Sequence, residues 1–441
     1  MTDRRREVGP RSRQIFEREQ RHVAPGLQSF ALYSGLAMAR GQGCTLTDVD
    51  GNTYIDFIAG IGVGSVGHCH PHYVESLKRQ IEQLTFGSFT TEARAKLLEL
   101  LASLTPDGLT RIQFFSGGAE AVEAALRLAK AATGKHEVIG FWGGFHGKTG
   151  GVLGLLGSDF KHGLGPFLPG QYSAPYADCY RCPLRLRYPE CGIACADYVR
   201  DVIKYQTGGE ISAIIVEPIQ GTAGNVVPPP GYLTALQATA REHEALLIAD
   251  EMLTGFGRTG LMWGCDHDRV IPDIMTVGKG IGGGFPLSGV ISTQPLTGHK
   301  PWSNPSASSS SYGGNPLAAA AGLATLEIFL KEDLVRNSER VGKIMLSRLE
   351  ALKEKYRCVG EVRGKGLMVG VELVADRDSK EPAPAAAGIV MERCREQGLL
   401  VGKGGLYANT LRLAPPLTVT EADVGQAVET IRAAVRAAEG S

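Results

Sequence analysis

The sequence predicts an α/β protein: a large domain on a mainly parallel sheet flanked by helices, and a smaller α+β domain drawn from both termini. Three observations carry this. Short apolar runs of strand length alternate with helical segments through the middle of the 441-residue chain, which is the pattern of a mainly parallel sheet. After about residue 325 the alternation stops, and a long amphipathic helix leads into "GLMVGVELV", "LRLAPPLTV" and a last helix. The strand-like "TLTDVDGNTYIDFIAG" precedes the alternating region and is expected to join the smaller domain. The expected division is 1–70, 71–325 and 326–441, with a cysteine-rich insertion at about 175–200.

Taken in order, the strands are expected at "RIQFF" (111–115), "HEVIGF" (136–141), "SAIIVEP" (212–218), "ALLIADE" (245–251), "DIMTVGK" (273–279) and "GVIST" (289–293). Helices fit between them, as in "AEAVEAALRLAKAA" (119–132) and "GYLTALQATAREHE" (231–244). "NPLAAAAGLATLEIFL" is too short to span a bilayer and reads as a core helix. An amphipathic helix is expected over roughly 331–356, and the last helix has a start signal in Thr420 with Asp423 three residues on. "SNPSASSSSYGGNP" (303–316) reads as a polar loop. Functional residues should gather at the carboxyl ends of the parallel strands.

Composition narrows the function. With 43% hydrophobic and 21% charged residues the chain is ordinary for a globular protein. Lysine plus arginine equals aspartate plus glutamate at 46 each, so charge gives no reason to expect nucleic acid or membrane as partner. The basic start "MTDRRREVGPRSRQIFEREQ" lacks an apolar run, and its Asp3, Glu7 and Glu17 do not suit a transit peptide, so a soluble cytoplasmic protein is expected. Four of the nine cysteines, Cys179, Cys182, Cys191 and Cys195, cluster in "CYRCPLRLRYPECGIAC". They could hold zinc, pair as disulfides or stay free; in each case the cluster reads as local stapling, and no metal is assigned to catalysis.

Two glycine-rich stretches invite a nucleotide reading and do not fit one. In "TVGKGIGGGFPLSGV" (276–290) a phosphate loop would need glycine where Asp273 stands and Ser or Thr where Gly280 stands. "GVGSVG" (62–67) matches a dinucleotide fingerprint, but "HCHPH" intervenes before the helix, which Pro71 would start. No acidic strand end follows about 20 residues on.

Three other features point to one chemistry. In "FFSGGAEAVEAALRLAK" a strand, a Ser-Gly-Gly turn and a helix start suit a phosphate. In "LLIADEMLTGFGRTG", Asp250 and Glu251 end an apolar strand, where an unpaired carboxylate is costly; one of them should meet a cation, either a protonated ring nitrogen or Arg258. Lys279 is a lone cation among glycines at another strand end, where desolvation favours nucleophilic use. A phosphate cradle, a buried carboxylate and a lysine suit pyridoxal 5'-phosphate, which has a phosphate, a basic ring nitrogen and an aldehyde.

On these motifs the chain resembles the class III pyridoxal-phosphate aminotransferases, a fold-type I family with a seven-stranded large-domain sheet, from about residue 25 to 435. The resemblance implies that Lys279, before "GGGFPL", carries the cofactor and moves the proton, and that Asp250 in "DEMLTG" pairs with the ring nitrogen. It implies that Gly118 and Ala119 bind the phosphate, that Phe145 of "GGFHGKT" stacks on the ring with His146 beside it, and that Met252 packs on a ring face. Ser311 before "YGGNP" would reach the phosphate of a neighbouring subunit, implying a homodimer with shared active sites. Glu217 of "EPIQG" and Arg412 of "LRLAPPL" would form a switch for the substrate α-carboxylate, with Ile61 and Lys148 also facing substrate. Leu253 stands where the family has a glutamine, and Lys148 where 4-aminobutyrate and acetylornithine enzymes have an arginine; lysine lacks the bidentate fork.

The implied reaction moves an amino group from an ω-amino acid, amine or alanine-like donor to a 2-oxo acid such as pyruvate, glyoxylate or 2-oxoglutarate, by a ping-pong route. The alternative is another reaction of the same family: dialkylglycine-type decarboxylation, racemisation or an aminomutase reaction.

Overall fold

A computed structural model describes residues 6–439; Asp3 and residues 440–441 lie outside them. The central sheet has seven strands in the order Arg111–Phe115, Ser288–Ser292, Ile274–Val277, Leu246–Asp250, Ile211–Val216, Glu137–Phe141, Gln171–Ala174. Ser288–Ser292 runs antiparallel to both its neighbours, and the remaining strands share one direction. The interior strands are apolar on both faces because both faces are covered: every residue of Ile211–Val216 and of Ile274–Val277 is buried.

Alternation along the strands divides the core. Ile214, Val216, Leu247, Ala249 and Met275 join a cluster that continues through Val369, Leu411 and Val428 toward the C-terminus. Ala213, Ile215, Ile248 and Ile274 face the other way, onto Val122, Leu126 and Leu128 of the helix Gly118–Thr133. Asp250 and Thr276 share the parity of Ile248 and Ile274, and they are directly opposite each other in the parallel pairing. Both are therefore delivered to the carboxyl edge on the side of that helix.

Two smaller sheets flank this one. Met38–Gln42, Thr45–Asp48 and Thr53–Asp56 form a meander that is extended by Leu399–Leu400, with Leu399 beside Ile55, so the N-terminal strands are tied to the C-terminal part of the chain. Val359–Lys365, Met368–Asp376, Thr410–Leu413 and Gly402–Gly404 form the other, with Glu381–Pro382 beside Met368–Asp376. The last helix, Glu421–Glu439, has the expected start: Asp423 N–H donates to Thr420 Oγ1 and Thr420 N–H to Asp423 Oδ2.

Three local expectations are corrected. The Ile274–Val277 strand stops short of Lys279, which opens a 3-10 turn, Lys279–Gly282, at φ 42°. The helix expected from about 331 begins at Leu334, separated from Pro316–Lys331 by Asp333 at φ 49°. The edge strand Gln171–Ala174 was not expected, since it carries no apolar run. No helix among the described residues is long and apolar enough to cross a membrane.

Candidate active site

The carboxyl ends of the parallel strands and the start of Ser288–Ser292 meet at one edge of the sheet, where Phe115, Phe141, Val216, Asp250 and Val277 end their strands. The Asp250 side chain is almost fully enclosed and held from three directions. Met252 N–H and Thr276 Oγ1 donate to its Oδ1 at 3.1 and 3.0 Å, and His146 Nδ1 lies 2.7 Å from Oδ2. Burial works against charging His146, but the hydrogen bond and charge of Asp250 outweigh it and raise its pKa.

Glu217 follows the Ile211–Val216 strand. Its carboxylate accepts from Phe145 N–H at 2.8 Å and from Gly221 N–H at 3.0 Å. Burial raises its pKa, and Asp250 adds to the rise while His146 opposes it. Lys279 is pulled the other way: burial lowers its pKa, Asp250 and Glu217 resist, and Arg412 adds to the fall. Arg412, on Thr410–Leu413, is lowered by burial against the pull of Glu217, and its Nε has no hydrogen-bond partner. No ion pair within 4 Å joins Arg412 to Glu217, so the expected switch residues are neighbours without a direct bond.

At the helix Gly118–Thr133, the Glu120 carboxylate accepts from the amides of Ser116 and Gly117. The amides of the first helical turn, Gly118 and Ala119 among them, have no intrahelical partner and present a positive dipole end. Met252 is wedged between this helix and the Lys279 turn: a Cβ on Gly118 would come 3.1 Å from its Sδ, and one on Gly278 2.6 Å. Leu253 is seated likewise, with Cβ positions on Gly62 and Gly221 falling 2.5 and 2.4 Å from its methyls. Ile61, beside Gly62, is in the left-handed region at φ 65°. Phe145 packs edge-on against Phe160 at 5.9 Å, and Lys148 Nζ lies 4.2 Å above the Phe160 ring.

The structure thus gathers Lys279, Asp250, Glu217, His146, Met252, Phe145, Gly118, Ala119 and Arg412 at one edge, with Ile61 and Lys148 on its margins. Ser311 is not brought in; it is exposed on its loop. Arg258 does not pair with Asp250 or Glu251. It donates to the carbonyls of Leu367 and Pro415, while Glu251 is satisfied by Thr254 Oγ1 and the amides of Gly264 and Cys265. Thr276 was missed, although a lone hydroxyl within a buried apolar strand was a signal that could have found it. The four clustered cysteines are free thiols, and among the described residues no group of three or more His, Cys, Asp and Glu is set to hold a metal ion.

The donor set fits pyridoxal phosphate. A lysine with a lowered pKa, a fixed buried carboxylate and a helix start free of bulky side chains correspond to its aldehyde, ring nitrogen and phosphate.

Comparison with known proteins agrees. A model of the aminotransferase class-III family matches residues 31–435. A mitochondrial alanine–glyoxylate aminotransferase 2 homolog from Arabidopsis thaliana is 38% identical over 96% of this chain and 87% of its own. An alanine/serine racemase from Pyrococcus horikoshii is 34% identical over 97% of this chain and 91% of its own. The crystal structure of an amine transaminase from an uncultivated Pseudomonas species, with pyridoxal phosphate bound, superposes with TM-score 0.86 at 32% identity, covering 95% of this chain and 98% of the other.

Proposed function

Because the chain belongs to the class-III aminotransferase family, we propose that its Lys279 edge carries out transamination between an amine or ω-amino acid and a 2-oxo acid, with the residue roles set out below. The enzyme is a pyridoxal-phosphate-dependent aminotransferase. The observation that carries the site assignment is the buried cluster of Lys279, Asp250, His146 and Glu217 at the carboxyl edge.

When bound, the cofactor supplies an aldehyde for the amine and a ring that withdraws electrons from the bond to be broken. Lys279 would hold it covalently and, once released by the incoming amine, serve as the base and acid that takes and returns the substrate proton. Its lowered pKa favours the neutral amine that this task needs. Asp250, fixed by Met252, Thr276 and His146, would face the ring nitrogen with its carboxylate. Gly118 and Ala119 offer backbone N–H groups to the phosphate, Phe145 and Met252 cover the ring, and Arg412 takes the substrate α-carboxylate. Leu253 supplies an apolar wall against Gly62 and Gly221.

A homodimer with shared sites completes this reading. It is supported by the exposure of Ser311 and by large apolar side chains left open to solvent, including Phe86 at 76%, Phe89 at 79% and Tyr312 at 71%.

Lys279→Ala is expected to abolish turnover and the visible absorbance of lysine-bound cofactor; normal transamination by that variant would overturn the assignment. A second reading, racemisation, is favoured by the Pyrococcus horikoshii relative. Inversion of an amino acid without any 2-oxo acid, followed by chiral separation, would establish it.

A further inference from the structure

The cysteine-rich segment 176–195 holds the active-site loop that begins at Glu217, directly on one side and through a relay of side chains on the other. Tyr176 opens the segment, separated from the Gln171–Ala174 strand by Pro175 alone. Its ring packs edge-on against Phe141 and Tyr232, at 6.1 and 5.2 Å. Its hydroxyl is shared between the carbonyls of Glu217 at 3.0 Å and Pro218 at 3.2 Å. Burial holds the phenol pKa well above its ordinary value, so the group stays a donor.

On the other side Arg181 binds the Glu372 carboxylate. Arg363 binds Glu372 and Glu361 and donates to Gly224 O at 3.1 Å, and Gly224 N–H donates to Gly221 O. Gly221 N–H in turn donates to the Glu217 carboxylate. Inside the segment, Cys179, Cys182, Cys191 and Cys195 line a cavity of about 20 Å³ together with Tyr176. That is room for about one water-sized occupant, so the thiols and Tyr176 border one small shared space.

We propose that this segment is a strut under the active site and that Tyr176 is a positioning residue: it fixes the main chain of Glu217, whose carboxylate then fixes Phe145 and Gly221. The proposal rests on the reading of Glu217 and Phe145 as site residues. The segment is more than a local staple, because its first aromatic residue touches the loop on which Glu217 stands and its first arginine is linked to that loop through Glu372 and Arg363.

Tyr176→Phe keeps the ring contacts and removes only the hydroxyl. In the cofactor-loaded enzyme it is expected to lower kcat/KM for the 2-oxo acid by ~5-fold, the worth of one neutral hydrogen bond. It is also expected to speed loss of pyridoxal phosphate on dilution. In a Glu217→Gln background the same change should have much less effect, because the carboxylate it positions is gone. An equal penalty in both backgrounds, or no penalty in either, overturns the proposal. If Tyr176→Phe does not fold, Arg181→Gln is taken through the same cycle from the opposite anchor, with the same two overturning results. Wild-type protein that fails to take up pyridoxal phosphate would instead refute the aminotransferase reading and is scored first.

Discussion

Two buried charged clusters lie on either side of the Gly221–Gly224 turn, and they are built on opposite rules. In the outer one, Arg363 is 2.6 Å from Glu372 and also pairs with Glu361, while Arg181 takes the other Glu372 oxygen. At Arg363 and Glu372 burial works against the charge and the partners win, raising the pKa of the one and lowering that of the other, whereas at Glu361 burial prevails and raises the carboxyl pKa. In the inner cluster His146 is likewise raised by its Asp250 partner, but at the other three groups the balance tips the other way. Lys279 and Arg412 are lowered and Glu217 is raised, each toward its neutral form, and no salt bridge within 4 Å joins either cation to Glu217. One cluster has its countercharges built in. The other leaves Lys279, Arg412 and Glu217 without a direct countercharge, and perturbed groups of that kind gather at functional sites.

The largest effect is expected in the outer cluster. Glu372→Gln leaves Arg363 and Arg181 without their shared carboxylate and should cost ~3–5 kcal/mol in denaturant unfolding. The sign with pH follows from the lowered pKa. Its stabilisation is present above the carboxyl's unfolded value and is lost as pH falls through the folded one, so wild type and variant should converge in acid. Lys279→Met sharpens the contrast. Measured without cofactor, it should leave stability unchanged or raise it by ~1 kcal/mol, because an ammonium disfavoured by burial is removed. A loss matching that of Glu372→Gln would erase the distinction between the two clusters. The smallest change is at Asp250: Thr276→Val removes one donor and should weaken cofactor retention ~5-fold, read by equilibrium dialysis, with the unfolding midpoint little moved.

The same contrast explains what could be read in advance. Lys279 and Asp250 stand out in sequence because each interrupts an apolar run, and the strands that deliver them are long runs of β-branched and aliphatic residues. Arg258 misled for a related reason. Its place eight residues after Asp250 suggested an ion pair, whereas the fold carries it to the carbonyls of Leu367 and Pro415, more than a hundred residues away in sequence. The Arg363 network has no local signature, since its members come from two strands and the cysteine-rich segment, and only the sheet register brings them together. Thr276 lies between these cases: its position was visible, but its partner depended on the pairing of Asp250 with Thr276 across two parallel strands.

Leu253 has a consequence for how this sequence can change. Its methyls fill the space that side chains on Gly62 and Gly221 would need, so an alanine at either glycine requires the leucine side chain to turn aside, and at Gly62 the backbone at φ 74° resists it whatever the leucine does. Exchange of Leu253 for a smaller residue would open a void beside Ile219 and Met368. The three positions are therefore epistatic. A lineage reshaping this wall of the pocket meets less resistance at Gly221 once Leu253 has been shortened, whereas Gly62 keeps its left-handed backbone cost in either order. Mutational libraries that vary Leu253 and Gly221 together would read the coupling that single changes miss.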